Sequence, residues 1–440
     1  MLPRRLYLSH FRRLRRKTSL WLGIGSVFCT LSFVTATEPA SDLPLSSKDR
    51  ILILAPHPDD EVLCCGGLIQ EAAAKHLPIK IVFLTYGDYD KWAFSIYRHS
   101  PVFRPKTMRA MGEVRRAEAL AAAQVLGVTP DALTFLGYPD YETLTIWDEH
   151  WSESSPYESR NTRVHAVPYQ TAYRPQAAYK GEEILHDIEA AVKTFQPTKV
   201  FVPHPADRNV DHRALYFFLR VALHDLAKQE MMTYTYLIHF PKWPGLKGFQ
   251  PAQTIDAPSS VAGNTAWENF RLSDSQIKLK YEALKKHRTQ WGYSERFLTS
   301  FVRSNELFDI DGTQAPTDSS DFEDWQVNVE KGNLLFSGRL SKKHRTSTEC
   351  RVAAYGYRRD TPFGKMPKIQ VTFKNLRVLV YDQRRQILNS DVSVTRENRH
   401  FLVRIPLTLL NQPNTIFAGY EVSREETPFS WKFSRILELN

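Results

Sequence analysis

The sequence predicts an α/β domain on a mostly parallel, doubly wound sheet, followed by a C-terminal all-β module of sandwich type. Three observations carry this. Between about residues 49 and 240, short apolar runs alternate with segments whose apolar residues recur at helical spacing. Strand-like and helix-like segments follow one another in βαβα order, which implies parallel strands with helices on both faces. After about residue 310 the helical periods stop, and short alternating segments separated by turn residues take over.

The elements can be read off in order. "ILILA" (51–55) is uninterrupted and apolar, as a strand buried on both faces should be. From Asp60 to Lys75, Val62, Leu63, Leu68, Ile69, Ala72 and Ala73 keep a helical period. "IKIVFLTYG" (79–87) is a second strand. "EVRRAEALAAAQVLGV" (113–128) is a helix stopped by Gly127. "ALTFLGYPD" (132–140) holds a third strand and a turn. "EEILHDIEAAVKTF" (182–195) is a helix, "KVFVP" (199–203) a fourth strand, and "HRALYFFLRVALHDLA" (212–227) the helix after it. Residues 88–112 and 141–180 are longer than a connection needs and rich in Tyr, Trp, Arg, Ser and Pro. They read either as builders of a substrate site or as tolerated insertions. "TQAPTDSSD" (313–321) reads as a linker, and 322–440 as a β-rich accessory domain.

The 440 residues suffice for two or three domains, and 42% hydrophobic with 24% charged residues is an ordinary globular composition. The formal charge of +10 is uneven. Seven Arg and Lys residues and no acid lie before Thr37, which leaves +3 on the rest. That balance gives no footprint for a nucleic acid. The basic start precedes the uncharged "SLWLGIGSVFCTLSFV" and then the small, polar "TATEPASDLPLSS", the order of an export signal. Cleavage after Ala36 would release a periplasmic or extracellular protein. Retention would leave an N-terminal membrane anchor with its basic flank in the cytoplasm. The four cysteines, 29, 64, 65 and 350, form neither a zinc ribbon nor a disulfide framework.

The chemistry concentrates where strands meet helices. "PHPDDE" (56–61) puts His57, Asp59, Asp60 and Glu61 at the end of the first strand. A catalytic zinc takes three protein ligands and a water. One strand–helix turn offers two of them, and "VPHPADRNVDHRA" (202–214), at the end of the fourth strand, offers His204, Asp207, Asp211 and His212. Strand ends of this kind are where such sheets bind ligands. Asp59 is the spare carboxylate that can take a proton from water. Glu61 can support the ligands from behind or favour the helix dipole. Taken singly, each cluster also reads as a capped turn, the later one capped by Asn209 or Asp211.

At "PHPDDE", Gly66 and Gly67, "RRAEALAAAQVLG" (115–127), "FLGYPD" (135–140), "DRNVDH" (207–212) and "KYEALKKHRTQ" (280–290), the sequence resembles the PIG-L / LmbE-like family of zinc-dependent deacetylases. The resemblance covers roughly residues 50–308. It implies a Rossmann-like fold and a Zn2+ held by His57, Asp60 and His212. Asp59 would be the general base, and Asp211 would orient the late part of the site. The reaction implied is removal of the N-acetyl group from an N-acetylglucosamine-type sugar, here on an envelope or extracellular glycan or glycoconjugate.

One position departs from the family pattern: Asn209 stands where the family often has His. Asn can donate a hydrogen bond to an oxyanion but cannot act as a general acid. Either Asp59 returns the proton, or a neighbour such as His204 helps, or activity is reduced. Arg115 or Arg116 and Asp140 are candidates for substrate binding or support. Trp92, Tyr97, Tyr138 and Trp147 are candidates for stacking on sugar rings. A zinc amidohydrolase for a non-sugar N-acyl substrate, and a weakly catalytic glycan-binding protein, remain open beside this reading. The β module would bind carbohydrate or a partner, or simply pack.

Overall fold

The computed structural model describes residues 41–258, 261, 266–310, 322–344, 348–375, 377–422 and 433–439. The expected export signal and linker lie outside them. The α/β part begins with β1 (Ser41–Asp42), β2 (Ile51–Ala55), α1 (Asp60–Ala74), β3 (Ile79–Thr85), α2 (Lys91–Arg98) and α3 (Pro105–Val125). It continues with β4 (Leu133–Tyr138), α4 (Thr143–Glu149), α5 (Gly181–Phe195), β5 (Lys199–Pro203) and α6 (Val210–Asp225). It closes with β6 (Met232–Tyr236), β7 (Trp267–Arg271), α7 (Asp274–Leu284), α8 (Arg288–Leu298) and β8 (Asn305–Ile310).

The strands form one eight-stranded sheet in the order β1-β7-β8-β6-β5-β2-β3-β4. From β6 to β4 every neighbouring pair is parallel, and β8 runs antiparallel to both β6 and β7. The chain moves outward from β2 through β3 to β4, then returns to place β5 and β6 on the other side of β2. The reversal makes β2 and β5 neighbours, with Ile53 opposite Phe201. A crevice opens at the carboxyl ends of strands at such a switch point. All five residues of β2 are buried, which explains its unbroken apolar run.

Several helices differ from the sequence reading: α4 lies in the second expected insertion, and α7 and α8 had not been assigned. The segment 88–112, expected as a long insertion, contains α2 and the first two turns of α3. Pro105 starts α3 at a position where no backbone donor is needed. Ala93 and Phe94 of α2 and Met108 and Met111 of α3 bury a small core of their own. The double glycine of α1 serves packing: a Cβ on Gly67 would lie 2.6 Å from Leu272.

Beyond residue 321 come β9 (Phe322–Glu330), β10 (Asn333–Leu340), β11 (Cys350–Tyr357), β12 (Lys368–Lys374), β13 (Arg377–Asp382) and β14 (Arg385–Ile387). They are followed by β15 (Ser393–Glu397), β16 (His400–Pro406), β17 (Thr415–Val422) and β18 (Phe433–Glu438). These make two antiparallel sheets, β15-β16-β10-β9 and β14-β13-β12-β11-β17-β18. Val352 and Ala354 of β11 face a core shared by the two sheets. The alternate residues Ala353, Tyr355 and Tyr357 join the core of the α/β part instead. The six-stranded sheet is therefore buried on both faces at its centre. Trp147, at 1% exposure, sits at this junction against Tyr355, Phe363 and Phe417.

That placement corrects two of the four expected sugar-stacking aromatics. Trp147 is an interdomain anchor. Tyr138 is buried, with its hydroxyl donating to Asp187.

Candidate active site

The turn after β2 and the start of α6 converge as the topology requires. The rings of His57 and His212 lie 5.4 Å apart, centroid to centroid. Asp60 stands between them. Its Oδ2 is 3.1 Å from His57 Nδ1 and 3.2 Å from His212 Nε2. Candidate ligand atoms of His57, Asp60 and His212 all fall within 4.8 Å of one another, and all three residues are buried.

This donor set fits a cation. Among the described residues neither ring nitrogen of His212 makes a hydrogen bond of good geometry, although the residue is fully enclosed. The titration directions agree. Burial works against charge on His57, but Asp140, with Asp211 and Asp60, holds it well above the ordinary imidazole range. Burial likewise opposes charge on His212, yet Asp207 and Asp60 push it up to about 9. Burial would raise Asp60, but His212 and His57 hold it well below the carboxylate range. A buried group of carboxylates that draws protons onto two imidazoles is a place that favours positive charge. Two neutral imidazoles and one carboxylate are a ligand set that zinc accepts.

Around these three residues stands a layer that fixes them. His57 Nε2 faces Asp211 Oδ2 at 3.0 Å and Asp140 Oδ1 at 3.1 Å. Asp211 also accepts from the backbone of Tyr141 and Thr143 and from the Thr143 hydroxyl. Asp140 accepts from Tyr89 N. Two anchored carboxylates beside Nε2 favour a proton there, which would leave Nδ1, on the Asp60 side, free to meet a metal. Asp207 faces His212 in the same way, with Oδ2 3.1 Å from Nδ1. It is itself held by Ile238 N and His239 N.

Asp59 is the carboxylate left over. It lines a cavity of about 610 Å3 together with His57, Asp60, Arg115, Asn209 and His239. Burial pushes its carboxyl up to about 7, against the opposing pull of the Arg115 guanidinium. Its backbone takes φ 136°, far from helical values, and its N–H donates to Glu61 Oε2. Glu61 in turn faces His287 at 3.5 Å.

Arg115 donates to Pro58 O at 2.8 Å and Gly87 O at 3.0 Å, and its Nη2 lies 3.4 Å from Asp59 Oδ2. It clasps the loop that carries Asp59. Gly87 leaves room for this: at φ 69°, a Cβ there would lie 2.2 Å from the guanidinium.

Residues 52–223 match the family model for PIG-L, described as GlcNAc-PI de-N-acetylase. This segment of the chain is thus similar to the PIG-L family. Over 174 residues the chain is 31% identical to 1D-myo-inositol 2-acetamido-2-deoxy-alpha-D-glucopyranoside deacetylase of Mycobacterium sp. (strain KMS), covering 39% of this chain and 51% of that one. Over 96 residues it is 29% identical to the probable N-acetyl-alpha-D-glucosaminyl L-malate deacetylase 2 of Bacillus anthracis, covering 22% and 38%. The chain thus spans about half the length of the first of these curated relatives, and less of the second. Among solved structures it is similar to N,N'-diacetylchitobiose deacetylase from Pyrococcus horikoshii, at 18% identity and TM-score 0.37, covering 61% of this chain and 84% of that one.

Within the α/β domain the structure corrects the expectations for His204 and Asp211 and narrows those for Asp140 and Arg115 to the supporting one of their two readings. His204, offered as a substrate contact or proton donor, is fully buried behind the site. Its Nδ1 accepts from Ala206 N and its Nε2 faces Asp309 at 3.1 Å, so both nitrogens are used structurally. Asp211, fully enclosed, was expected to orient the late part of the site but faces His57, whereas Asp207 faces His212. Asp140 lines the cavity, but both of its oxygens are engaged, by His57 and by Tyr89 N. Arg115 holds the Asp59 loop through backbone carbonyls. These last three are positioning residues.

Asn209 lines the cavity and caps α6. Its Oδ1 accepts from Asp211 N, which leaves its amide hydrogens for the cavity. His239 lies at the end of "TYTYLIH" and was not singled out from the sequence. Its ring is 5.0 Å from that of His212 and stacks on Phe297. Burial pushes it down to about 4, so it is neutral near pH 7. The available signal was its position one strand beyond β5, on the same end of the sheet.

Proposed function

We propose that this chain is a zinc-dependent N-deacetylase that hydrolyses the acetamido group of an N-acetylglucosamine-type sugar on a glycan or glycoconjugate. The observation that carries the reading is the buried His57, Asp60 and His212 cluster, whose His57 and Asp60 line a cavity that also presents a further carboxylate, Asp59. The cavity's size suits a sugar unit. The curated relatives that match are named for acetamido-sugar substrates, which supports the same class here. The basic and apolar N-terminal segment supports placing that substrate in the envelope or outside the cell.

A zinc ion held by His57, Asp60 and His212 would supply a water of lowered pKa, polarise the acetamido carbonyl, and draw Asp59 toward its ionised form. The chain's own residues do the rest. Asp59 accepts the proton of the attacking water. Asn209 donates its amide hydrogens toward the oxygen that becomes negative. When the C–N bond breaks, the departing nitrogen needs a proton. Asn209 has none to give, neutral His239 is a weak acid, and His204 is out of reach. Asp59 therefore returns the proton it took, and the products are acetate and a free amine. Arg115, Asp140, Asp207 and Asp211 hold these groups in place. Tyr141 and Trp92, exposed at the cavity wall, offer faces for a sugar ring.

The test is acetate release from N-acetylglucosamine conjugates by the zinc-loaded chain, beside Asp59→Asn. The variant should retain its zinc and lose activity by roughly 10²–10⁴-fold. Equal acetate release by both proteins would overturn the assignment.

A further inference from the structure

The stretch from Lys91 to Gly112 does more than wall the cavity. It carries Lys91, Arg98, Arg104, Lys106 and Arg109 and no acidic residue, in a domain otherwise close to balanced. The inner side of α2 is fully used, since Ala93 and Phe94 fill the small core with Met108 and Met111. Yet large apolar side chains also point outward. Trp92 is 75% exposed, Val102 53%, Ile96 42%, and Tyr97 and Phe103 39% each. Phe103 tilts on Phe94 and Ile96 abuts Gly292, but exposure of this extent over five neighbouring apolar side chains exceeds what packing explains. Lys91 and Trp92 belong both to this patch and to the cavity wall, so the patch begins at the mouth of the site.

Apolar and aromatic tips interleaved with cations match one kind of surface well: the interface of an anionic bilayer. Aromatic and aliphatic side chains enter the headgroup region while Lys and Arg pair with lipid charges. A soluble acidic polymer would use the cations and the aromatic faces but would leave Val102 and Ile96 without purpose.

We infer that residues 91–106 dock this protein on an anionic lipid surface, with the mouth of the cavity beside it. The inference rests on the proposed function only for what the docking delivers, because lipid binding itself needs neither zinc nor turnover.

Hydrogen–deuterium exchange of the full chain reads this segment separately from the N-terminal segment. The probes are vesicles of phosphatidylcholine with 30 mol% phosphatidylglycerol, and vesicles of phosphatidylcholine alone, at ~0.1 M salt. Amides 91–106 should gain protection with the anionic vesicles and little with the neutral ones. In Arg98→Glu/Lys106→Glu the lipid concentration for half-protection should rise at least ~10-fold. Ile96→Ser/Val102→Ser should weaken protection while leaving hydrolysis of a small soluble substrate in place. Asp59→Asn should be protected as the wild type is, so a failed deacetylase assay leaves this result standing. Vesicle binding without protection of 91–106 would overturn the proposal, since the N-terminal segment would then account for it. Protection by a soluble anionic polysaccharide but not by vesicles would overturn it too.

Discussion

Asp59 is held at φ 136°, ψ −29°, a conformation that side chains with a Cβ rarely adopt. It is fixed from two sides, by Glu61 on its own N–H and by Arg115 on the Pro58 carbonyl. Strain of this kind costs about 1–3 kcal/mol and points to a functional position. Asp59→Gly should therefore melt higher than Asp59→Ala, by an amount equivalent to about 1–2 kcal/mol, with both inactive. Asp207→Asn should keep the fold but weaken zinc binding by roughly 10–100-fold in a chelator competition, because it steadies His212. His57, Asp59, Asp60 and His212 were legible as a group because each cluster ends a strand. The roles of Asp207, Asp211 and Asp140 were not. A sequence with two carboxylates in "DRNVDH" does not say which one turns back to its own helix and which crosses to His57. His239 had no motif at all, only a position at a strand end.

At the scale of elements, the site exists because β2 and β5 are neighbours across the switch point. That followed from the βαβα order, and the bounds of β2 and β5 agree with the apolar runs. The strands after α6 were harder. β7 and β8 lie among polar residues such as Glu268, Asn269 and Asn305, and they pair antiparallel, which no local period reveals. α2 escaped notice because it is only eight residues long, too short for a helical period to stand out. The loop after β3 is the element most sensitive to a small change. Gly87→Ala places a Cβ against Arg115 at positive φ. It should lower stability by at least ~1 kcal/mol in a denaturant melt and reduce deacetylation more than stability alone would, since Arg115 then releases the Asp59 loop.

The whole molecule is less divisible than its sequence suggests. The change of texture near residue 310 correctly marked a β-rich region, but the six-stranded sheet gives one face to the α/β core. The near-continuous burial of β11 and β17 was the available sign, since "AAYGY" and "TIFAGY" do not alternate cleanly. Lys368, fully buried at this junction, lies 4.0 Å from the Phe363 ring centroid and 4.9 Å from that of Trp151. Burial lowers it from 10.5 to about 7. Between those values the unfolded chain holds a proton that the folded chain lacks. Stability should thus rise with pH across the window and be lost as pH falls through it. Denaturant melts at pH 7.5 and 9.5 should show this rise for the wild type, and a smaller one for Lys368→Met. Equal slopes would place the lysine in a wetter setting.

The central claim concerns the metal, and its most direct measurement is zinc content after dialysis, by elemental analysis of folded protein. The wild type should hold one zinc per chain. His57→Ala and His212→Ala should each fall well below that while keeping their secondary structure. One full equivalent of zinc in both variants would contradict the site described here.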